Sequence, residues 1–319
     1  MSNRIILLIL AAWLNAAGAR ALPAQTITVT LLGTGSPILL PERSGPSILV
    51  EAGDQKLLFD VGRGAAGRLW QSGVALRDVT AVFFTHLHSD HVVGFPDLWL
   101  TGMLPNKSFA HRTQPMHVYG PTGTRAMMKY LALAYEADVR IRQADEKTSS
   151  EGAKIVTRDI AQGVAYDQGG VKVTAFDVDH GDLIKPSLGY RIDYRGRSVV
   201  LSGDTRPSDN LVRFATGADV LFHEVAAARP ELLAISEAAR RIIGHHSSPE
   251  QAAVIFTRVH PRLAVYTHIV LLSTDPAVSP PALQDLEHVT KAYRGRFEIG
   301  EDLMRVTVGD TIVVTRHAP

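Results

Sequence analysis

The sequence predicts an α/β fold in which two β-sheets stack face to face with helices outside. Three observations predict it. Short β-branched and aromatic runs alternate with helical stretches in both halves of the chain, with no short-period repeat. One such run, Thr80–Phe84, leads straight into Thr85-His86-Leu87-His88-Ser89-Asp90-His91, a loop dense in metal-ligand residue types. The 319 residues, 45% hydrophobic and 20% charged, suffice for one large globular domain or two small ones.

In chain order, Ile27–Leu32 alternates as a strand and ends in the turn Gly33-Thr34-Gly35-Ser36-Pro37. Ser47–Glu51 and Lys56–Asp60 read as a hairpin about Ala52-Gly53-Asp54-Gln55. Arg63–Gln71 reads as a helix and Thr80–Phe84 as a buried strand, after which Val92–Leu98 carries the chain away from the histidine loop. Thr122–Ala137 is the clearest helix of the middle, with Met127, Met128, Leu131, Leu133 and Ala134 on its apolar face. Residues 138–168 are polar and mixed; they read as a variable surface segment with Asp145–Ser150 as an exposed turn. The strand pattern restarts with Val171–Val178, Gly189–Tyr194 and Ser198–Leu201, the last two joined at Arg195-Gly196. Asp219–Phe222 and Leu263–Tyr266 are further strands. Ser248 at an N-cap with Pro249 behind it starts a helix. Pro281–Ala292 reads as another helix, and residues 305–315 as a strand pair around Gly309-Asp310.

The histidine loop carries the chemistry. His86 and His88 are two apart, so an extended backbone points both imidazoles to one side. Asp90 and His91 follow the turn of the chain and face a second point. Neutral imidazole with carboxylate suits Zn²⁺ or another borderline first-row ion. A polar loop that is merely rich in histidine is the alternative.

The motif resembles that of the metallo-β-lactamase superfamily of metallo-hydrolases, and the likeness extends along most of the chain. Leu32-Gly33-Thr34-Gly35-Ser36-Pro37 resembles the opening strand and turn of the ribonuclease Z-like branch, and Phe59-Asp60-Val61-Gly62-Arg63-Gly64 its next strand end. Ser202-Gly203-Asp204-Thr205 and Thr267-His268 resemble its later metal motifs. The resemblance implies one domain, a four-layer αββα sandwich, holding two Zn²⁺, with Mn²⁺ or Fe²⁺ as other occupants. One ion is expected at His86, His88, His180 and Asp204, the other at Asp90, His91, His268 and Asp204, with Asp204 bridging. The expected nucleophile is a metal-bridging hydroxide.

Asp90, His246 and Glu224 are the candidate catalytic residues. His246, in Gly244-His245-His246-Ser247-Ser248, resembles the branch's histidine near the leaving group, and His223-Glu224 its neighbouring His-Glu pair. Glu224 would orient His246 and hold it protonated; a structural hydrogen-bonded network is the alternative. Arg206 faces either an anionic substrate or an exposed salt-bridge partner. His111, His117, His260, His288 and His317 have no supporting spacing.

Residues 1–21 read as a secretory signal peptide. Arg4 forms the positive end, Ile5–Leu14 the apolar run and Ala19-Arg20-Ala21 the cleavage site, leaving a mature domain of residues 22–319. A retained anchor, or cleavage after Ala24, is the alternative. This predicts a periplasmic or secreted protein with no membrane span after cleavage. The chain has no cysteine, so no disulfide can staple it and no thiolate can ligate a metal. Lys plus Arg number 33 against 32 for Asp plus Glu; removal of Arg4 and Arg20 takes the net charge from +1 to −1.

Near-neutral charge and export together predict an arylsulfatase- or phosphodiesterase-like enzyme acting on a small anionic ester, with nucleic acid not expected as a partner. Asp182–Gly189 is similar to the exported relatives, and Ile269-Val270-Leu271-Leu272 after His268 departs from the Ser-rich continuation of tRNA-processing members. The stretch from Val270 to Pro281 is expected to border the pocket and is too short for an RNA-clamping arm. A ribonuclease Z-like 3′-tRNA-processing endoribonuclease and a lactonase are the enzymatic alternatives; a non-catalytic metal-binding protein is the other class. A second copy of the chain is a candidate partner, as a homodimer.

Overall fold

The computed structural model describes residues 25–317, so the expected signal segment lies outside the described residues. Among them, strands β1 (Ile27–Gly33), β2 (Ser47–Ala52), β3 (Gln55–Phe59), β4 (Ala81–Phe83), β5 (Met116–Gly120) and β6 (Ile155–Asp159) belong to one sheet. Strands β7 (Gly163–Gln168), β8 (Val171–Asp177), β9 (Leu188–Tyr194), β10 (Arg197–Leu201), β11 (Val220–Ala228), β12 (Leu263–Leu272) and β13 (Phe297–Ile299) form the other. Finally β14 (Arg305–Val308) and β15 (Ile312–Thr315) return to the first, which is eight-stranded in the order β15-β14-β1-β2-β3-β4-β5-β6. The second runs β13-β12-β11-β10-β9-β8-β7.

Each sheet is part antiparallel and part parallel: β3 to β6 are parallel in the first, β10 to β13 in the second. Both faces of the central parallel strands are covered, so they read as unbroken apolar runs. The pleat sorts them between layers. Leu57, Phe59, Ala81 and Phe83 point inward to meet Val199, Leu201, Val220, Phe222 and Val265 of the other sheet. Leu58, Val82 and Phe84 point outward onto Leu69, Leu98, Trp99 and Met128 of the covering helices. Val200, Leu221, Ala264 and Tyr266 do the same against Leu211, Ile255, Phe256 and Leu286. This is the expected αββα arrangement. Two bonds tie the sheets beside the histidine loop: Tyr190 O–H donates to the Phe84 carbonyl at 2.6 Å, and Leu188 N–H to that of Thr85 at 2.9 Å.

The polar stretch 138–168 departs from expectation. It takes in most of a helix, Glu136–Asp145, and the strands β6 and β7. Alternate residues of β6 face solvent, as do Val164 and the last two residues of β7, so neither stretch presents a continuous apolar run. The helix expected over Thr122–Ala137 ends at Ala134 and the chain restarts at Glu136; Leu133 and Ala134 are exposed rather than on the buried face. Strands β11 and β12 run several residues beyond Phe222 and Tyr266. Helices Pro230–Ile235 and Glu237–Ile243 lie in a stretch where the sequence predicts no element, and they sit beside the site. No helix among the described residues is long and apolar enough to cross a membrane.

Small residues let the loops converge. A Cβ on Gly94 would lie 2.1 Å from the Gly62 carbonyl oxygen, and one on Gly62 would lie 2.6 Å from that of Asp90. These glycines let the strand end after β3 pass directly behind the metal-ligand loop.

Candidate metal centre

The site lies where the C-terminal ends of parallel strands from both sheets meet. After β4 the chain supplies His86 and His88 from the loop, His88 in extended backbone, then the short helix Ser89–Val92 with Asp90 and His91 in it. His180 follows β8, and Asp204 follows β10. His268 comes from within β12, not from beyond a strand end. Register slips there: Glu224 pairs with Thr267 and Val225 with Ile269, leaving His268 as the extra residue of a bulge with φ 42°. Bulges re-aim one side chain out of a ladder, and this one turns an imidazole into the site.

The seven expected ligands converge in the two expected groups. His86 Nε2 lies 2.9 Å from His88 Nδ1, and His180 Nε2 lies 3.4 Å from that same atom. On the other side, His268 Nε2 and His91 Nε2 lie 3.3 and 3.5 Å from Asp90 Oδ2. Asp204 Oδ2 stands between them, 3.3 Å from His91 and His268, 3.7 Å from His180 and 3.9 Å from His86. All are buried except His88, on the open side.

Partners behind the rings set the tautomers. His91 Nδ1–H donates to Asp60 Oδ2 at 2.8 Å, leaving Nε2 as a lone pair, buried without a protein hydrogen-bond partner. Thr85 donates its hydroxyl to the same Asp60 oxygen at 2.8 Å, so its Oγ1 accepts from His86 Nδ1–H at 3.0 Å. His180 Nδ1–H donates to the His245 carbonyl at 3.0 Å. Three imidazoles therefore turn bare Nε2 atoms toward the centre. Burial pushes His86 well below its ordinary pKa and His180 down to about 4, so both stay neutral donors. Burial would also lower His91, but Asp204, Asp60 and Asp90 raise it well above the usual value, a field that favours a cation at its Nε2. Burial would raise Asp204; His268 and His91 more than offset this and keep it ionised. Nitrogen and oxygen donors without thiolate, in two groups that share one carboxylate, fit a pair of first-row divalent ions.

Asp60, in the motif Phe59-Asp60-Val61-Gly62-Arg63-Gly64, has a role that the sequence pattern does not reveal. It adopts φ 57° and accepts from Thr85 N–H, the Thr85 hydroxyl and His91. The signal that could have found it is an acid closing a strand beside a glycine-rich turn. Asp60→Asn exchanges an acceptor for an amide and should weaken metal retention about 10–100-fold with little change in global fold; competition with a chromogenic chelator measures it.

His246 and Glu224 also come together. Glu224 is buried, accepting from Ser247 N–H at 2.9 Å, Thr205 N–H at 3.2 Å and His246 Nδ1–H at 3.1 Å. Burial would lower the His246 pKa, but Glu224 outweighs it and pushes the value up to about 9. With Nδ1 committed to Glu224, Nε2 is the atom left to act. The His246 ring lies 4.9 Å from that of His180 and 5.7 Å from that of His268. His223 is a buried neighbour that donates from Nδ1 to the Glu224 carbonyl at 2.5 Å. Arg206 is not among these groups: its Nη2 binds both oxygens of Asp179, at 2.8 and 2.9 Å.

A cavity of about 220 Å³ opens onto the centre. His88, His180, Asp204 and His246 line one side of it, and Ile38, Ile242, Val270 and Leu272 supply apolar wall. Val270 and Leu272 thus border the pocket as expected, but from within β12 rather than from a loop.

Residues 55–269 match the Beta-lactamase superfamily domain. Ribonuclease Z of Mycobacterium bovis (strain BCG / Pasteur 1173P2) is 36% identical over 283 residues, spanning 88% of this chain and 98% of that protein. Ribonuclease Z of Mycolicibacterium gilvum (strain PYR-GCK) is also 36% identical, over 88% of this chain and 96% of its own length. Among solved structures, the metallo-beta-lactamase fold protein YhfI from Bacillus subtilis superposes with a TM-score of 0.69 at 16% identity, covering 89% of this chain and all (100%) of that one. The short form of human tRNase Z gives 0.62 at 23% identity, covering 87% and 98%. At these identities the superpositions speak for the fold.

The curated relatives overturn one expectation. A small anionic ester was expected as the partner and nucleic acid was not, yet the relatives matched along nearly their whole length are named for ribonuclease activity. The expectation leaned on a formal charge near zero. That sum omits bound divalent cations, which are the largest local charges in such a site. It leaned also on export, read from residues outside those the structure describes.

Proposed function

Because this chain belongs to the metallo-β-lactamase superfamily, in its ribonuclease Z-like branch, we propose that it is a metal-dependent endoribonuclease that hydrolyses a phosphodiester of RNA, a tRNA 3′ trailer being the substrate that the resemblance to this branch implies. The observation that carries this reading is the placement of Asp204 Oδ2 between two histidine groups, beside a histidine held on a buried carboxylate. His86, His88, His180 and Asp204 would hold one ion; Asp90, His91, His268 and Asp204 the other, with zinc the metal that fits this donor set. When bound, such a pair supplies Lewis acidity and a water acidified toward neutrality.

The protein's own residues do the rest. Asp60, through Thr85 and directly, keeps the Nε2 lone pairs of His86 and His91 turned inward. The Glu224 carboxylate favours the protonated form of His246, which donates from Nε2 to the oxygen that leaves phosphorus. Water adds to phosphorus, the bond to that oxygen breaks, and the departing strand ends in a hydroxyl. The apolar wall of Ile38, Ile242, Val270 and Leu272 excludes bulk water from the pocket.

The test is hydrolysis of bis(p-nitrophenyl) phosphate by zinc-reconstituted protein. We expect turnover that a chelator abolishes and zinc restores. Hydrolysis of a homoserine lactone or an aryl sulfate with none of the phosphodiester would contradict the reading.

A further inference from the structure

His246 lines two cavities, of which the pocket over the metal centre is one. A second cavity, of about 320 Å³, shares His246 as wall and is lined beyond it by Arg206, Pro207, Leu233, Arg240 and Ile243. Its two guanidinium groups are held in place differently. Arg206 is fixed by Asp179 at 2.8 and 2.9 Å, with Asp182 farther off at 3.6 Å. Arg240 is exposed and donates to backbone, to the carbonyls of Leu233 at 2.5 Å and Ala234 at 3.4 Å. These carbonyls belong to the helix Pro230–Ile235 and orient the guanidinium without cancelling its charge. The adjacent Arg241 is instead paired with Glu237. Among the described residues Arg240 is thus a cation without a carboxylate partner, facing a cavity large enough for a nucleotide.

A group that protonates a leaving oxygen must stand on that oxygen's side of the phosphorus. With His246 in that role, the departing strand starts at His246 and continues into whatever space lies past it. We propose that the second cavity is a phosphate subsite, in which Arg240, with Arg206 beside it, binds the backbone phosphate next to the scissile one on the departing strand. This rests on the phosphodiesterase reading above and adds a direction to it: the substrate enters with at least one further phosphate on the leaving side. A simple diester with aryl groups offers none and gains nothing from Arg240.

The experiment compares the zinc-loaded full chain with Arg240→Ala, Arg240→Lys and Arg241→Ala. The substrates are bis(p-nitrophenyl) phosphate and a single-stranded RNA extended on both sides of the cleaved bond. For Arg240→Ala we expect kcat/KM on the RNA to fall about 10-fold or more, with the aryl diester changed less than about 2-fold. The slope of log kcat/KM against log salt should become shallower by about 0.7, one phosphate contact on a single strand. Arg240→Lys should recover that slope, because it keeps the charge, and Arg241→Ala should match the wild type. Equal losses on both substrates would show that Arg240 only supports the fold, and an unchanged salt slope would show that it meets no phosphate; either overturns the subsite. Wild-type protein that cleaves neither substrate would bring down the phosphodiesterase reading, and the subsite with it.

Discussion

Asp204→Ala is expected to lower kcat/KM by at least about 10³-fold and to strip the protein of metal. The carboxylate is the one group common to both halves of the site: Oδ2 lies within 3.3–3.9 Å of four imidazole nitrogens. Losing several kcal/mol of charge stabilisation in the transition state corresponds to about that factor. Metal content measured by elemental analysis after dialysis should fall from about two ions per wild-type chain to one or none. Folding should survive, because Asp204 lies beside the layered core of Phe83, Val199 and Phe222 rather than in it; an unchanged near-ultraviolet circular dichroism spectrum checks this. Full metal retention by the variant would remove Asp204 from the bridging position.

His246→Ala should produce a different defect. The seven proposed ligands do not include His246, so metal content should stay at the wild-type level. Removing a general acid costs about 10²–10⁴-fold in rate, and the loss should grow as the leaving group becomes poorer. With a nitrophenolate leaving group, which departs without help, the variant should approach wild-type kcat. With an RNA hydroxyl as leaving group it should be nearly inactive. Glu224→Gln should show the same selectivity at smaller amplitude, since it leaves the imidazole but removes the charge 3.1 Å from Nδ1. A uniform loss across leaving groups would mean that His246 positions substrate and gives up no proton.

The sequence made the centre of the molecule legible for a physical reason. Strand segments such as Leu57–Phe59 and Ser198–Leu201 are buried on both faces, so every residue of them is apolar or small. The ligands were legible because a metal demands specific side chains at the ends of those strands. His268 illustrates what such patterns omit. The run Leu263–Tyr266 does mark a strand, but that the strand continues and bulges at His268 depends on pairing with β11, a long-range fact. Asp60 was overlooked because its work is done through Thr85 and His91, 25 and 31 positions away. Strands β6 and β7 escaped because half their residues face solvent. Net charge does not reveal the substrate class because it averages over a whole surface, whereas recognition depends on the few charged groups at one mouth.

Incubation of zinc-loaded protein with a precursor tRNA carrying a 3′ trailer, followed by mapping of the new ends, shows whether the protein is a tRNA endonuclease. A single endonucleolytic cut in the trailer region is expected, abolished by chelation and by Asp204→Ala, and nearly lost in His246→Ala with the metals still bound. Intact precursor after incubation with fully metallated, folded protein would contradict it.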